Sequence, residues 1–298
     1  MRLEAAYSCC RDLVRQSGSS FYHGMRLLPR SKRLAMYAIY AWSRLADDAV
    51  DLGEHEVPES ALNDIAQLLD RALASGYVDD PHPIAVALGD TIRKYQLPEE
   101  CFRNLLDGML MDLHPQPFAT FDDLLGYCRK AAGTVGQLCL EIFGYQDDEA
   151  RDLAIDLGIA MQLTNILRDL GEDLDRGRVY LPVEDVERFG YSLEALSRRQ
   201  HSDAFRSLMA EETMRANAYY ERASRLLGLV DRDARLSLAM LYHVYHRLLQ
   251  RIEREDYDVF SQRIRVSTRE KLWMAISLFW HRQKGPAEGD KILAKLPR

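Results

Sequence analysis

The sequence has no excess of basic charge: 39 Lys and Arg stand against 46 Asp and Glu among 298 residues, a formal net charge of −7. Nucleic-acid binders displace counterions with a basic face, so this balance argues against that class. It does not argue against anionic small molecules, whose charge a bound cation can offset. Cysteine is scarce. The five present (Cys9, Cys10, Cys101, Cys128 and Cys139) are odd in number and none forms a CxxC or zinc-knuckle spacing. That pattern fits reduced thiols in a cytoplasmic protein. Met1 to Tyr7 lacks the basic-then-apolar order of a signal peptide. No uncharged apolar run reaches the roughly 18 residues that a membrane span needs. The most apolar stretch, Lys271 to Trp280, reads as a core helix in preference to a patch lying on a membrane. Alternating strand patterns, NG or DG hairpin signals, solenoid repeats and low-complexity tracts are missing. So is a glycine-rich dinucleotide fingerprint.

What remains is helical periodicity with clear punctuation. Lys32 to Asp51 carries apolar residues at Leu34, Ile39, Trp42, Leu45 and Val50, interleaved with alanine, with Pro29 before and Gly53 after. Further helices are expected over 58–75, 82–95, 98–112, 120–143, 147–175, 202–228, 231–255 and 267–284. Prolines and glycines (Gly76, Pro98, Gly144, Gly177, Gly190 and Gly228 among them) separate these windows. The expectation is one all-α domain over residues 1–298, with a polar flexible tail at 283–298.

Two acidic clusters sit inside these helices. The first is Asp47-Asp48-Ala-Val-Asp51 and the second Asp169-Leu-Gly-Glu-Asp173. In each, the outer aspartates are four apart, which places them about 40° apart on one helix face and roughly 6 Å along the axis. Stacked carboxylates repel, and the first cluster lies near the negative end of its helix dipole. A divalent cation shared with diphosphate oxygens would offset both penalties. One such cluster alone is an ordinary solvated helix end. The second, however, continues a polar stripe of Gln162, Asn165, Asp169 and Asp173 along an otherwise apolar helix. Buried polar groups need partners.

Three blocks resemble the squalene/phytoene synthase family. These are Ser20-Phe21-Tyr22 to Pro29 with Ala38 to Asp51, then Tyr127-Cys128 to Ala132-Gly133-Thr134-Val135-Gly136, and finally Ala160 to Asp173 followed by Arg176-Gly177-Arg178-Val179-Tyr180-Leu181-Pro182. The resemblance implies an all-α isoprenoid-synthase helical bundle around a central cavity, with the acidic motifs facing each other. It implies that Asp47, Asp51, Asp169 and Asp173, aided by Asn165, hold Mg2+, while Gln162, Arg44, Arg168 and Arg178 contact diphosphates. Phe21, Tyr40, Tyr127 and Tyr245 are candidates to line a dry pocket for a carbocation, with Ala132, Val135 and Gly136 beside them. Gly133 and Gly136, costly in a helix, imply close approach of a lipid tail or a neighbouring helix.

The reaction implied is head-to-head coupling of two allylic prenyl diphosphates. Two farnesyl diphosphates giving presqualene diphosphate is the first reading, and two geranylgeranyl diphosphates giving a phytoene-type product the alternative. Hydrolysis of prenyl diphosphates and a non-catalytic helical scaffold are the competing classes. Met25 stands where some members carry an aromatic. No stretch matches the C-terminal membrane helix of eukaryotic squalene synthases. The missing dinucleotide fingerprint favours a reaction without NADPH. Peripheral membrane contact is expected from the insolubility of such products, and the oligomeric state is left open.

Overall fold

The structure, a computed structural model, describes residues 3–17, 20–51 and 58–282, with the side chains of Ser20, Asp51, Pro58, Thr268, Leu272 and residues 279–282 outside the description. Gly53, expected to stop its helix, and the polar segment 283–298 also lie outside the described residues. Helices account for nearly all regular structure, and the only strand-like pairing among the described residues is an isolated bridge between Tyr145 and Val230.

The chain opens with α1 (Leu3–Gln16) and the short α2 (Ser20–Met25), which the apolar periodicity had not singled out. The first acidic motif ends α3 (Arg30–Asp51). α4 (Pro58–Leu73), α5 (Pro83–Tyr95) and α6 (Glu99–Leu113) follow close to their expected bounds. α3 packs on α1, α4, α5 and α6. Trp42 is fully buried at that junction, edge-on to Phe102 at 5.3 Å. Its indole N–H donates to the Ile65 carbonyl at 3.4 Å, so the ring fills the core without an unpaired donor.

The helix expected over 120–143 is interrupted. α7 (Phe121–Cys128) passes into one wide π turn, Arg129–Gly133, and then α8 (Thr134–Phe143). Thr120 starts α7 with a capping box: its hydroxyl accepts from the Asp123 N–H while the Asp123 carboxylate accepts from Thr120 N–H. Glycine explains how this segment lies against its neighbour. A Cβ on Gly136 would stand 2.3 Å from the Ala154 carbonyl oxygen, and one on Gly158 would stand 2.5 Å from that of Ala132. A neighbouring helix, therefore, is what the glycines admit.

That neighbour is α9 (Glu149–Asp175), the long helix carrying the second acidic motif, which packs against the π turn and α8. α10 (Val183–Arg188) and α11 (Leu193–Ser197) are short and were not read from the sequence. α12 (Asp203–Ala223) lies along α9. The window expected to run to 228 breaks at α12, and Gly228 falls within the one-turn α13 (Leu226–Leu229) instead of separating helices. α14 (Arg235–Arg254) and α15 (Thr268–Arg282) complete the bundle. The apolar face of α15 turns Met274 and Leu278 inward, as expected for a core helix, yet Trp273 and Ile276 remain about half exposed. Among the described residues no helix is long and apolar enough to cross a membrane.

Candidate active site

The second acidic motif is held by cations on both sides. Arg168 grips the carboxylate of its neighbour Asp169 through two hydrogen bonds, one at 2.7 Å. Arg263, from the segment between α14 and α15, meets the same carboxylate at 3.0 Å and Glu172 at 3.3 Å. One turn further on, Asp173 is buried, and burial followed by the nearby Asp169 pushes its carboxyl up to about 7. Two carboxylates so placed at a helix end favour a cation.

In the first motif, Arg44 reaches Asp48 at 2.6 Å and Asp47 at 3.5 Å, one turn along α3. These pairs relieve part of the repulsion within the cluster. A second cation caps the helix itself: Arg178 Nη2 donates to the Val50 carbonyl at 3.3 Å, where the α3 dipole is negative. Because Arg178 follows the second motif closely in sequence, this bond draws the ends of α3 and α9 together.

Between those ends lies a cavity of about 880 Å3. Asp47, Asp169, Asp173, Arg44, Arg168, Arg178, Gln162, Asn165, Tyr40, Tyr127 and Tyr245 all line it. The cavity also draws on Arg176 and Tyr180 of the third block and on Asp112, Arg263, Arg265 and Lys271 outside all three. Lys271 is held below the usual ammonium range, first by burial and then by the charge of Arg168. Mutually repelling cations around a cavity are an anion site waiting for its charge.

Asp112 organises one wall. It accepts from the Tyr180 hydroxyl at 2.7 Å and from the Tyr127 hydroxyl at 3.0 Å. The Tyr127 and Tyr180 rings lie 5.2 Å apart, with Phe118 against both. Burial raises both phenols far above their ordinary value, so each stays a neutral donor. Gln162 Nε2 lies 3.5 Å from the Tyr127 hydroxyl. The segment carrying Tyr180 is pinned to the start of α7 by Val183 N–H to the Phe118 carbonyl and Glu184 N–H to that of Ala119.

A second, apolar cavity of about 230 Å3 opens beside the first. Phe21, Ala132, Val135 and Gly136 line it, and Gln162 and Asn165 line both cavities. Phe21 packs 6.1 Å from Tyr40 and 5.6 Å from Tyr245, so an aromatic wall runs from the charged chamber into the apolar one. Tyr245 is fully enclosed and its phenol is pushed up to about 12, chiefly by burial. At the boundary, Asn165 Oδ1 is buried with no hydrogen-bond partner.

Among the described residues no three His, Cys, Asp or Glu side chains are close enough to form a metal cage. Mg2+ binds through one or two carboxylates and takes its remaining oxygens from phosphate and water. Asp47, Asp169 and Asp173 would supply the carboxylates, and the orphaned Asn165 Oδ1 is an oxygen donor of the right kind. Two histidines of α14 have other surroundings. His246 meets Asn217 at 3.1 Å on a neighbouring helix, and His243 is buried and held down to about 4 by desolvation.

Comparison with known proteins assigns the family. A family model described as squalene/phytoene synthase matches residues 14–270. The 15-cis-phytoene synthase of a Synechocystis species is 39% identical over 91% of this chain and 83% of its own length. The phytoene synthase of Mycobacterium tuberculosis is 35% identical over 96% of this chain and 95% of its own. Among solved structures, a dehydrosqualene synthase in complex with a ligand superposes with a TM-score of 0.86 at 29% identity, covering 95% of this chain and 98% of that one. A squalene synthase from Alicyclobacillus acidocaldarius gives 0.79 at 32% identity, covering 86% of this chain and 95% of that one. The chain belongs to the squalene/phytoene synthase family and is a prenyltransferase of that type.

Proposed function

We propose that the protein condenses two allylic prenyl diphosphates head to head, and that geranylgeranyl diphosphate is the substrate of both sites. The observation that carries the coupling is the shared boundary of the two cavities. Gln162 and Asn165 border the charged chamber and the apolar one together, so a charged head and a hydrocarbon tail find contiguous surfaces. The C20 substrate, second in the sequence reading, is preferred because relatives named phytoene synthase reach 39% identity. Farnesyl diphosphate is the second reading, favoured by the likeness to dehydrosqualene and squalene synthases.

The residues divide the work. Arg44, Arg168, Arg178, Arg263 and Lys271 bind the diphosphates and stabilise the charge that develops as the allylic C–O bond breaks. Mg2+ held by Asp47, Asp169, Asp173 and Asn165, with Asp51, neutralises further phosphate charge when bound. The leaving group departs as diphosphate. The double bond of the second substrate then attacks the allylic cation, and loss of a proton closes a cyclopropane. Tyr40, Tyr245 and Phe21 present ring faces to the cation and exclude water. No step requires NADPH.

Product analysis tests this. Incubation with geranylgeranyl diphosphate and Mg2+, without NADPH, should yield a C40 coupled product, and farnesyl diphosphate should turn over more slowly. A C30 product formed preferentially would select the second reading. Prenyl alcohol as the main product would overturn coupling altogether. Asp47→Asn and Asp169→Asn should each lower turnover by at least about a hundredfold while circular dichroism stays helical; full activity in either would refute the assigned roles.

A further inference from the structure

Away from both cavities, a cleft of about 600 Å3 lies between α1, the α2–α3 junction and α5. Its charge is opposite to that of the molecule. Arg11, Arg26, Arg30, Arg33 and Lys94 line it, against only two carboxylates, Glu4 and Asp90, in a chain whose net charge is −7. Asp90 is already engaged, accepting from the Tyr7 hydroxyl at 2.7 Å.

Arg11 is paired with Asp12 at 3.1 Å, whereas among the described residues Arg26, Arg33 and Lys94 meet no carboxylate. Arg26 lies over the Tyr22 ring at 5.9 Å, Arg33 donates only to the Arg26 and Leu28 carbonyls, and Lys94 sits over Tyr95. Arg30 and Glu4 approach no closer than 3.8 Å, with 77% and 90% of their side chains exposed. The cations also converge: the Tyr37 phenol lies within electrostatic reach of Arg33, Arg26 and Arg11. Tyr22 and Tyr37 stack at 6.1 Å in the cleft, and Leu3 on its rim is 40% exposed. Basic side chains, the partly exposed ring of Tyr22 and an exposed leucine are the combination that settles at a headgroup layer.

We propose that this cleft docks the protein on an anionic bilayer by taking phosphodiester headgroups among Arg11, Arg26, Arg30, Arg33 and Lys94. The placement suits an enzyme of long-chain lipids. His23, on α2, lies within electrostatic reach of both Arg26 in the cleft and Lys271 in the charged cavity. One six-residue helix therefore separates the headgroup site from the catalytic chamber. The inference uses the proposed function only for this last point, and its test needs no turnover.

The full-length protein is sedimented with vesicles of phosphatidylcholine alone and of phosphatidylcholine mixed with phosphatidylglycerol. Binding is expected on the mixed vesicles only, and should fall as salt is raised. The triple variant Arg26→Glu, Arg30→Glu, Lys94→Glu should bind them on the order of a hundredfold more weakly, at about fivefold per cation removed. Its melting temperature should stay near that of wild type, since these side chains are exposed. A control reversing three exposed arginines elsewhere, Arg198→Glu, Arg232→Glu and Arg254→Glu, should bind the mixed vesicles far better than the cleft variant. Equal binding to both vesicle types, or equal loss in the control, would overturn the proposal. So would a binding event for inorganic diphosphate, seen by calorimetry without magnesium in wild type and lost in the cleft variant, because it would assign the cleft to a soluble anion.

Discussion

Asn165 concentrates the conflict between stability and function in one side chain. Its Oδ1 is buried and unpartnered, which costs about 1–3 kcal/mol in the free protein. Replacing it with leucine, of similar volume, removes that cost. Asn165→Leu should therefore melt at or above the wild-type temperature while turnover falls at least about tenfold, and differential scanning calorimetry paired with product assays would check both. A lower melting temperature with intact turnover would make Asn165 a structural residue. The acidic motifs, Gln162 and Asn165 were legible in the sequence because their period put polar groups on one face of an apolar helix. Asp112 and Arg263 were not. Each is isolated in its own segment and gains meaning only where Asp112 accepts from Tyr127 and Tyr180, or where Arg263 meets Asp169. A sequence holds no spacing for such convergence.

At the scale of elements, the contact of α8 with α9 is set by missing side chains. The Cβ of Gly136→Ala would meet a backbone carbonyl oxygen of Ala154 at 2.3 Å, and backbone yields less than a side-chain tip. Overpacking of this kind costs about 1–3 kcal/mol. The variant should lower the melting temperature and also reduce turnover, since Gly136 lines the apolar cavity; Gly126→Ala, with open space around it, should do neither. Elements were legible in proportion to their length. α9 and α14 match their expected windows to within a few residues, because many turns repeat one apolar face. α2, α10 and α11, with at most six residues each, are shorter than two turns and owe their shape to packing, as where Val186 and Leu196 enter the core. The π turn has no composition of its own and was invisible.

For the molecule as a whole, two buried groups bend stability against pH in opposite senses. Glu212 on α12 shares Arg215 with Asp185 on α10 at 2.8 and 2.6 Å. Burial nevertheless pushes its carboxyl from 4.5 up to about 8, so it stays protonated beside Asp185. That contribution is complete below pH 4.5 and is lost as pH rises through about 8. His243 works the other way: held at about 4 against an ordinary 6.5, its contribution is complete above 6.5 and is lost as pH falls. Between 4.5 and 6.5 the two slopes oppose each other, and above 6.5 Glu212 is left to pull stability down. Asp173, raised to about 7, acts in the same direction as Glu212. Glu212→Gln, which keeps the hydrogen-bonding shape without the proton, should flatten the decline between pH 6.5 and 8 in thermal melts. An unchanged decline would show that Glu212 is ionised throughout.

The wide turn at Arg129–Gly133 also gives this stretch of chain a residue to spare. It fits one more residue into its circuit than an α turn does. Because a π circuit and an α circuit each close one full turn, deleting one residue there would convert it to ordinary helix with Tyr127 and Gly136 kept near their present faces, whereas deleting one residue from the α turns of α7 would screw everything upstream by about 100°. At this turn the residue count is negotiable, but Gly133, where a Cβ would meet Ile155 at 3.1 Å, is not.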